Sequence, residues 1–592
     1  MCGIVGSFNI SFQGDLKIRR ASQAIRHRGP DGYGYWEEGG INLGHRRLSI
    51  IDLSDDAGQP MTSFNKDVVI VFNGEIYNYL DLKIELENKG YLFQTKSDTE
   101  VVLASYQEWG YQAFERFNGM FSFTIFDKNK DRLIVVRDHA GIKPLYYSFQ
   151  NNSFIFCSEV RGFEVYDPNW QKNPNWDVLF LTFGFIPKPY TTLKDVLSLS
   201  KGSYLIIDTL TGKFEKKRYN QFVFDSVINN EKDAIELVRS TVLESISRNM
   251  ISDAPLGIFL SGGIDSSLIA LLADSMGYKD LTTLSVTFKE RSFDESPYQK
   301  IIIDKMRPHR HIDHNVGAND FIENIDDIFD AMDQPSCDSI NSYFVSKAAH
   351  DNNLKAVLSG LGADELFGGY PSFNRIKTLE KISKIPNFLL RAMEHFPNEK
   401  ASRLAYLGSN SQYGEYLFLR GGISPTLTSK IVGLPKEEIY NILSNLEIEE
   451  HSKAYDKNLA AFLETNIYME NQLLKDIDYM SMWNSLEVRV PFLDKELLGL
   501  MHTISPSVKF HGKIPKYLLV KAFEDILPKE VVYRKKQGFT FPFSIWLKQH
   551  IEFFKPMLPD TPVAHKILHQ FLEGKVHWSR LWSLIVYNQF KK

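Results

Sequence analysis

The texture of the chain changes once, near Lys232, and that change limits what it can fold into. Before it, short β-rich runs alternate with turn signals: Ile4 to Ile10, Val68 to Phe72, Phe121 to Asp127, Arg132 to Arg137, Ser153 to Cys157 and Ser203 to Asp208. Runs of this length and spacing predict stacked antiparallel sheets. Helical periodicity interrupts them at Leu80 to Gly90 and at Asp98 to Trp109, where Asp98 and Thr99 stand like an N-cap. After Lys232, long helical segments alternate with short buried strands, clearest at Gly257 to Leu260, Leu281 to Phe288 and Ala356 to Leu358. Such alternation predicts a parallel α/β sheet. Past Arg375 the chain reads as mostly helical, ending in an aromatic tail around Trp578, Trp582 and Tyr587 suited to covering a hydrophobic surface. The polar stretch Thr209 to Lys232 is the predicted linker, and 592 residues exceed what one ordinary core supports, so two domains are expected.

Composition excludes several classes. With 43% hydrophobic and 24% charged residues and a net charge of -5 from well-mixed acids and bases, the chain reads as a soluble globular protein with no nucleic-acid partner. The short cluster Arg534-Lys535-Lys536 reads as solvated surface or phosphate contacts. Three scattered cysteines, Cys2, Cys157 and Cys337, make neither a disulfide framework nor a metal-ligand pair, which fits a reducing cytoplasm. The start lacks the basic and apolar segments of a signal peptide, and apolar runs such as Val178 to Ile186 fall short of the roughly 18 residues of a membrane span. No membrane insertion is expected, and the sequons at Asn9 and Asn151 are then irrelevant.

The opening Met1-Cys2-Gly3 places a small residue second, so removal of the initiator methionine is expected to leave a cysteine with both a thiol and a free α-amine. An α-amine titrates near 7.7 to 8.0 and a thiol near 8.5, so the amine can take the thiol's proton at neutral pH. One residue then supplies nucleophile and base. Four further segments follow in order: Ile25-Arg26-His27-Arg28-Gly29-Pro30-Asp31-Gly32, His45-Arg46-Arg47-Leu48-Ser49-Ile50, Asn73-Gly74-Glu75-Ile76-Tyr77-Asn78 and Ser97-Asp98-Thr99-Glu100. Together they resemble the class II glutamine amidotransferases. The side chains suit the job: Arg47 can clamp a glutamine α-carboxylate, and Glu75 and Asp98 can accept from its α-ammonium. Asn73 and the Gly74 N–H can donate to the oxyanion of the tetrahedral intermediate. Asn73-Gly74 also reads as a β-turn between Val68 to Phe72 and Ile76 to Tyr79.

A second site is signalled by Gly257 to Leu260 running into Ser261-Gly262-Gly263-Ile264-Asp265-Ser266-Ser267 and the apolar helix Leu268 to Ala273. Strand, glycine-rich loop and helix N-terminus point backbone N–H groups at an anion such as a phosphate chain. No Walker A pattern occurs, and the loop looks like that of the pyrophosphatases that cut ATP between the α- and β-phosphates. Pyrophosphate brings Mg²⁺, a hard cation, for which Asp265 and Asp364 are the candidate ligands. Asp364 belongs to the string Ser359 to Tyr370, which follows the strand Ala356 to Leu358 at the carboxyl edge of the sheet, where open α/β folds bind ligands.

With Glu487-Val488-Arg489-Val490-Pro491-Phe492-Leu493-Asp494 and Gly512-Lys513-Ile514-Pro515-Lys516 added, the order of motifs resembles the glutamine-hydrolysing asparagine synthetase family over almost the whole chain. The resemblance implies an α+β N-terminal nucleophile hydrolase sandwich over 2–215, the glutaminase domain, and an α/β parallel-sheet ATP-pyrophosphatase domain with a mostly helical C-terminal part over 230–592. It implies glutamine, ATP and a carboxylate acceptor as substrates, ATP as co-substrate with Mg²⁺ and no prosthetic group. An internal tunnel would carry ammonia to an acyl-adenylate, and a homodimer is one assembly open to the chain. Cys2, Asn73, Gly74 and Lys516 would be catalytic, Lys516 stabilising charge on the transferring phosphate; Arg47, Asn73, Gly74, Glu75 and Asp98 would bind glutamine. Phe259, Ser261, Gly262, Gly263, Asp265, Ser266, Ser267, Val286, Ser359 and Gly360 would bind ATP or AMP.

One departure concerns the acceptor. Members that make asparagine usually carry an acid between the glycines of the Ser-Gly-x-Gly string, and here Leu361 stands there. Either another group takes over that acid's role, or the acceptor is a sugar uronate or cell-envelope carboxylate rather than aspartate. A stand-alone N-terminal nucleophile amidase would leave Ser261 to Ser267, Asp364 and Lys516 without a purpose. His309, His311 and His314 could suggest a metal, but no nearby cysteine or carboxylate completes a ligand set.

Overall fold

The computed structural model describes residues 2–9, 16–150, 153–278, 280–395, 402–409, 411–446, 454–512, 514–535 and 538–592. Met1, Ile10, Asn151, Lys513 and Lys536, which enter the sequence reading, lie outside them. The strands of the first half are β1 Gly3–Asn9, β2 Gly32–Glu38, β3 Ile41–Arg47, β4 Met61–Thr62, β5 Val68–Ile76, β6 Gly119–Asp127, β7 Arg132–Arg137, β8 Tyr146–Gln150, β9 Ser153–Cys157, β10 Leu197–Ser198, β11 Ser203–Asp208 and β12 Phe214–Arg218. Those of the second half are β13 Leu256–Phe259, β14 Thr282–Thr287, β15 Arg310–Asn315, β16 Ala356–Leu358 and β17 Glu487–Arg489.

The first twelve strands form two six-stranded antiparallel sheets, ordered β10-β8-β9-β1-β3-β2 and β12-β11-β7-β6-β5-β4. Alternation explains their stacking. Along β5, Val69 and Val71 face Ile4, Leu43 and Phe156 in the core between the sheets, whereas Ile70 and Phe72 face Leu86, Val102 and Phe114 beneath a helical layer. Helices Leu16–Ala24 and Arg161–Tyr166 cover the other outer face through Ile18, Ala21 and Phe163. The sandwich is therefore four layers, helix, sheet, sheet, helix, as the resemblance implied.

Two local readings are corrected. Asn73-Gly74 is not a turn: β5 continues to Ile76, pairing Asn73 with Ser122 and Gly74 with Phe121. A strand buried on both faces hides its own Asn-Gly signal. The N-cap of the helix Asp98–Trp109 is Ser97, whose hydroxyl accepts from the Thr99 N–H at 3.1 Å, and Asp98 is thereby released to point elsewhere. The predicted linker also carries structure. Phe214–Arg218 adds an edge strand to the second sheet, so the expected boundary at 215 falls inside β12, and the stretch after it is pinned by Asp225 and Ile228 N–H bonds to the carbonyls of His502 and Thr503.

The last five strands form one parallel sheet, β15-β14-β13-β16-β17. Beyond Arg375 the regular elements among the described residues are helices apart from β17, too short at three residues for a period signal. A continuous apolar core joins the two halves, with Leu48, Ile50, Met120 and Ile142 packed among Leu268, Ala363, Met469 and Leu493. The aromatic tail does cover a hydrophobic surface: Trp582, fully buried, stacks on Phe329 with centroids 5.6 Å apart.

Candidate active sites

Cys2 stands at the start of β1, and Asn73 and Gly74 lie on β5 of the facing sheet. The Cys2 backbone nitrogen donates to Asn73 Oδ1 at 2.9 Å, and its sulfur lies 3.9 Å from the Leu48 carbonyl. Asn73 thus anchors the Cys2 backbone, a use the sequence reading did not include; its Nδ2 faces Ser122 Oγ at 3.5 Å. Gly74 has φ +153° and must be glycine, because a Cβ there would sit 2.1 Å from the Met120 carbonyl oxygen. His45, on β3, is held by its Nε2 contact of 3.1 Å with the Phe72 carbonyl; burial drives its pKa down to about 3, so it is a neutral spacer between the sheets.

One small cavity is lined by Cys2, Arg47, Gly74, Glu75 and Asp98 together, joined by Ser97 and Thr99 of the same motif and by Gln59, which sequence reasoning missed. The Arg47 guanidinium is aimed by two carbonyls, Ser54 at 2.6 Å and Asp52 at 2.5 Å. Gln59 bridges the Phe72 N–H at 2.6 Å and Thr99 Oγ1 at 3.2 Å, fixing the far wall. The Asp98 carboxylate accepts from the Ile76 N–H at 2.9 Å, yet burial raises its pKa to about 6. Glu75 is pushed well above the carboxylate range, by burial first and by Glu487 and Asp98 next. Burial and the crowding of acids here outweigh the nearby Arg489.

Two arginines outside that cavity tie it to the second half. Arg28 Nε donates to the Cys2 carbonyl at 3.1 Å, while its Nη1 lies 2.8 Å from both Glu159 and Asp478, the latter on the helix Leu474–Trp483. Arg489 on β17 lies 3.8 Å from Glu75 and 2.6 Å from Glu487, fully buried. No spacing in the sequence marks either link, since each joins residues hundreds of positions apart.

In the second half, β13 leads into the loop and the helix Ile264–Ser275 begins after Gly263, an N-terminus that no side chain caps. Ser266 Oγ meets the Ser261 N–H at 3.1 Å and the Ser261 hydroxyl at 3.0 Å, closing the loop on itself. Gly262, at φ +73°, presses against Tyr298 and Gln299, where a Cβ would meet atoms at 2.9 and 3.0 Å. Gly360 packs on the loop as closely, its Cβ position lying 2.7 Å from Asp265 Cβ and 3.2 Å from the Ser266 nitrogen. The Ser359 N–H bonds the Arg489 carbonyl at 2.8 Å. Phe259 ends β13 and Val286 lies on β14 beside it.

Lys516 meets both acids named for Mg²⁺: Asp364 Oδ1 at 2.8 Å and Asp265. Burial opposes its charge, but the two carboxylates outweigh it and raise its pKa. Arg534, 3.8 Å from the Gly263 Cβ position and paired with Glu295, stands beside the loop. Glu365 was also missed: it is buried, accepts from the Tyr370 hydroxyl at 2.7 Å, and is held near 7 by burial and by Asp364. Two of the three histidines, His309 and His311, share a hydrogen bond to Thr283 Oγ1 at 2.9 and 2.8 Å. Among the described residues no group of three metal-ligating side chains occurs.

Residues 1–220 match the family model described as glutamine amidotransferase domain, and residues 237–590 that described as asparagine synthase. The chain belongs to the asparagine synthase family. A relative, asparagine synthetase [glutamine-hydrolyzing] 1 of Bacillus subtilis (strain 168), is 34% identical over 99% of this chain and 96% of its own length. Asparagine synthetase B [glutamine-hydrolyzing] of Escherichia coli (strain K12) is 28% identical over 91% of this chain and 82% of its own. A putative asparagine synthetase [glutamine-hydrolyzing] 2 of Methanocaldococcus jannaschii is 36% identical over 68% and 81%. As a member of the asparagine synthase family with an amidotransferase domain, the chain is a glutamine-dependent ligase that uses ATP as co-substrate. No helix among its described residues is long and apolar enough to cross a membrane.

Proposed function

We propose that the chain makes asparagine from aspartate, with glutamine as nitrogen donor. In the first step the Cys2 thiol attacks the glutamine carboxamide while the α-amine of processed Cys2, held by Asn73 Oδ1 at 2.9 Å, takes the thiol proton. Arg47 clamps the α-carboxylate, Asp98 and Glu75 receive the α-ammonium, and Asn73 Nδ2 with the Gly74 N–H meets the oxyanion. Ammonia leaves, and water releases glutamate from the thioester. The apolar core shared by the two halves favours passage of neutral ammonia over ammonium.

In the second step ATP lies across Ser261, Gly262, Gly263, Ser266 and Ser267, with the base side toward Phe259, Val286, Ser359 and Gly360. Asp265 and Asp364 fit a magnesium ion, because they are hard oxygen donors that already converge on one cation, the Lys516 ammonium. Bound there, magnesium would neutralise charge on the departing pyrophosphate. Lys516, released from the two acids, then serves the transferring phosphate as a point cation. Glu365 supplies the carboxyl that Leu361 cannot, its pKa near 7 suiting proton transfer at neutral pH. The functional division is taken as a glutaminase part over 2–215, extended through β12, and a synthetase part over 230–592. Its three free cysteines fit work in a reducing cytoplasm.

The observation that carries the reading is the convergence of Cys2, Arg47, Gly74, Glu75 and Asp98 on one cavity, wired through Arg489 to the sheet that bears the phosphate loop. The acceptor is tested by pyrophosphate release from ATP with ammonia supplied, comparing aspartate with galacturonate. Release with aspartate alone supports it; release with the uronate alone shifts the acceptor to a sugar acid.

A further inference from the structure

The basic cluster Arg534-Lys535-Lys536, which by sequence suits either solvated surface or phosphate contacts, divides in the structure. Lys535 is exposed and Lys536 lies outside the described residues, whereas the Arg534 side chain turns inward and is 7% exposed. It follows the short helix Lys529–Val532, and what it reaches is the glycine-rich loop. A Cβ built on Gly263 would meet Ser261 Oγ at 3.3 Å and then Arg534 Nη2 at 3.8 Å, so no other side chain intervenes at that glycine.

Two groups aim the guanidinium. Glu295 Oε1 accepts from Nη2 at 2.5 Å, and the centre of the Tyr298 ring lies 4.5 Å from the guanidinium carbon. Both stand at the start of the helix Ser296–Ile303, Glu295 at its N-cap position and Tyr298 in its first turn. The same turn packs against the loop, since a Cβ on Gly262 would sit 2.9 Å from Tyr298 Cβ and 3.0 Å from the Gln299 nitrogen. Arginine and loop therefore share one support. A guanidinium has five N–H donors in a fixed plane. Glu295 takes one of them, while Nε and Nη1 have no hydrogen-bond partner among the described residues and keep accessible surface.

An ion pair kept for stability alone does not account for this placement, because desolvation offsets much of the attraction within a buried pair wherever it sits. Here the pair is set against the N-terminus of the 12-residue helix Ile264–Ser275, which no side chain caps and where backbone donors face an anion. Lys516 reaches the same loop at Asp265. The two cations differ in what they have left to offer. Lys516 is held by two carboxylates at once, whereas Arg534 keeps free donors in a fork that matches phosphate oxygens.

We propose that Arg534 binds the β- and γ-phosphates of ATP and holds the pyrophosphate they become, with Glu295 and Tyr298 as positioning residues. This rests on the reading of Ser261 to Ser267 as the phosphate loop. When the acceptor carboxylate attacks the α-phosphorus, the bond from that phosphorus to the bridging oxygen breaks and its electron pair leaves on the pyrophosphate. Arg534 donates to that departing charge from the Gly263 side of the loop. AMP keeps neither of the phosphates concerned, so it is not a ligand of Arg534.

The test is calorimetric titration of pyrophosphate, with magnesium present, and separately of AMP into the full chain and its variants. Arg534→Met is expected to weaken pyrophosphate by ~10- to 100-fold, through loss of charge-assisted hydrogen bonds, and to leave AMP within ~2-fold. Arg534→Lys, which keeps the charge and loses the fork, should fall between the parent and Arg534→Met. Lys516→Met should also weaken pyrophosphate and serves as the control for the loop itself. Because Arg534→Met leaves Glu295 buried without its cation, the double variant Glu295→Gln/Arg534→Met removes both charges, and should show the same pyrophosphate loss at the parent's melting temperature. The proposal is overturned if pyrophosphate binds the Arg534 variants as tightly as the parent while still depending on Lys516. It is overturned equally if pyrophosphate and AMP weaken together, the mark of a pair that only supports the fold. A parent chain that does not bind pyrophosphate overturns it as well, and with it the phosphate reading of the loop. None of these outcomes depends on the acceptor proposed above.

Discussion

The two candidate sites are out of charge balance in opposite ways. Around Cys2, burial first and the nearby Glu487 next raise the pKa values of Glu75 and Asp98, that of Asp98 to about 6. At the phosphate loop, Lys516 is held by two acids at once, and its pKa rises because its positive charge is over-answered. On the proposed function, an ammonium-bearing ligand would answer the first imbalance and a divalent cation on the two acids the second. The comparison teaches that burial turns crowding of one charge into a shifted pKa, upward for acids packed together and upward for a lysine held by two of them.

The strongest break between the sites is Cys2→Ala. Glutamine-dependent synthesis should fall about 10,000-fold or more while ammonia-dependent synthesis persists, measured as pyrophosphate release with each nitrogen source. Loss of both would mean the sites are not separable. Next, Lys516→Met should lower adenylation by roughly 100- to 1000-fold and leave the glutaminase rate intact; equal losses in both activities would contradict the division of labour. Third, Arg489→Leu strands the buried Glu75 and Glu487, and should destabilise the chain by about 3–5 kcal/mol and raise the KM for glutamine, read by melting and by steady-state kinetics.

The smallest expected effect is in pH. Asp98, raised to about 6 by burial, binds its proton more tightly in the folded than in the unfolded chain. Its contribution to stability is therefore full below the ordinary carboxylate range and is lost as pH rises through about 6. A bound ammonium reverses that loss by favouring the carboxylate, so the melting-temperature gain from glutamine should grow as pH rises through about 6. A gain independent of pH there would remove Asp98 from the ammonium site.

Much of this was legible in advance because it is local. β7, β9, β11 and β16 fall on the residues their composition predicts, since short apolar runs bounded by turn residues have few alternatives. The Ser261 to Ser267 loop declares its strand, turn and helix N-terminus within one segment. β2, β3, β8, β15 and β17 were not anticipated; β15 carries charged and histidine residues, and its pairing with β14 decided its state. Gln59 and Arg28 were missed for a different reason, since each acts through partners that sequence distance hides, and Glu365 because its pKa is raised first by burial.

The sequence by itself determined the inventory: a cysteine at position 2, an arginine, two acids, a glycine-rich loop, and a lysine far downstream. These are covalent facts, and their order suffices to name the chemistry. The tertiary structure decided how the inventory is shared. It turned Asn73 toward the Cys2 backbone, released Asp98 from capping duty, folded Lys516 between Asp265 and Asp364, and set Arg489 against Glu75. Those relations depend on burial and on charges meeting across the two halves, and burial exists only once the chain has packed.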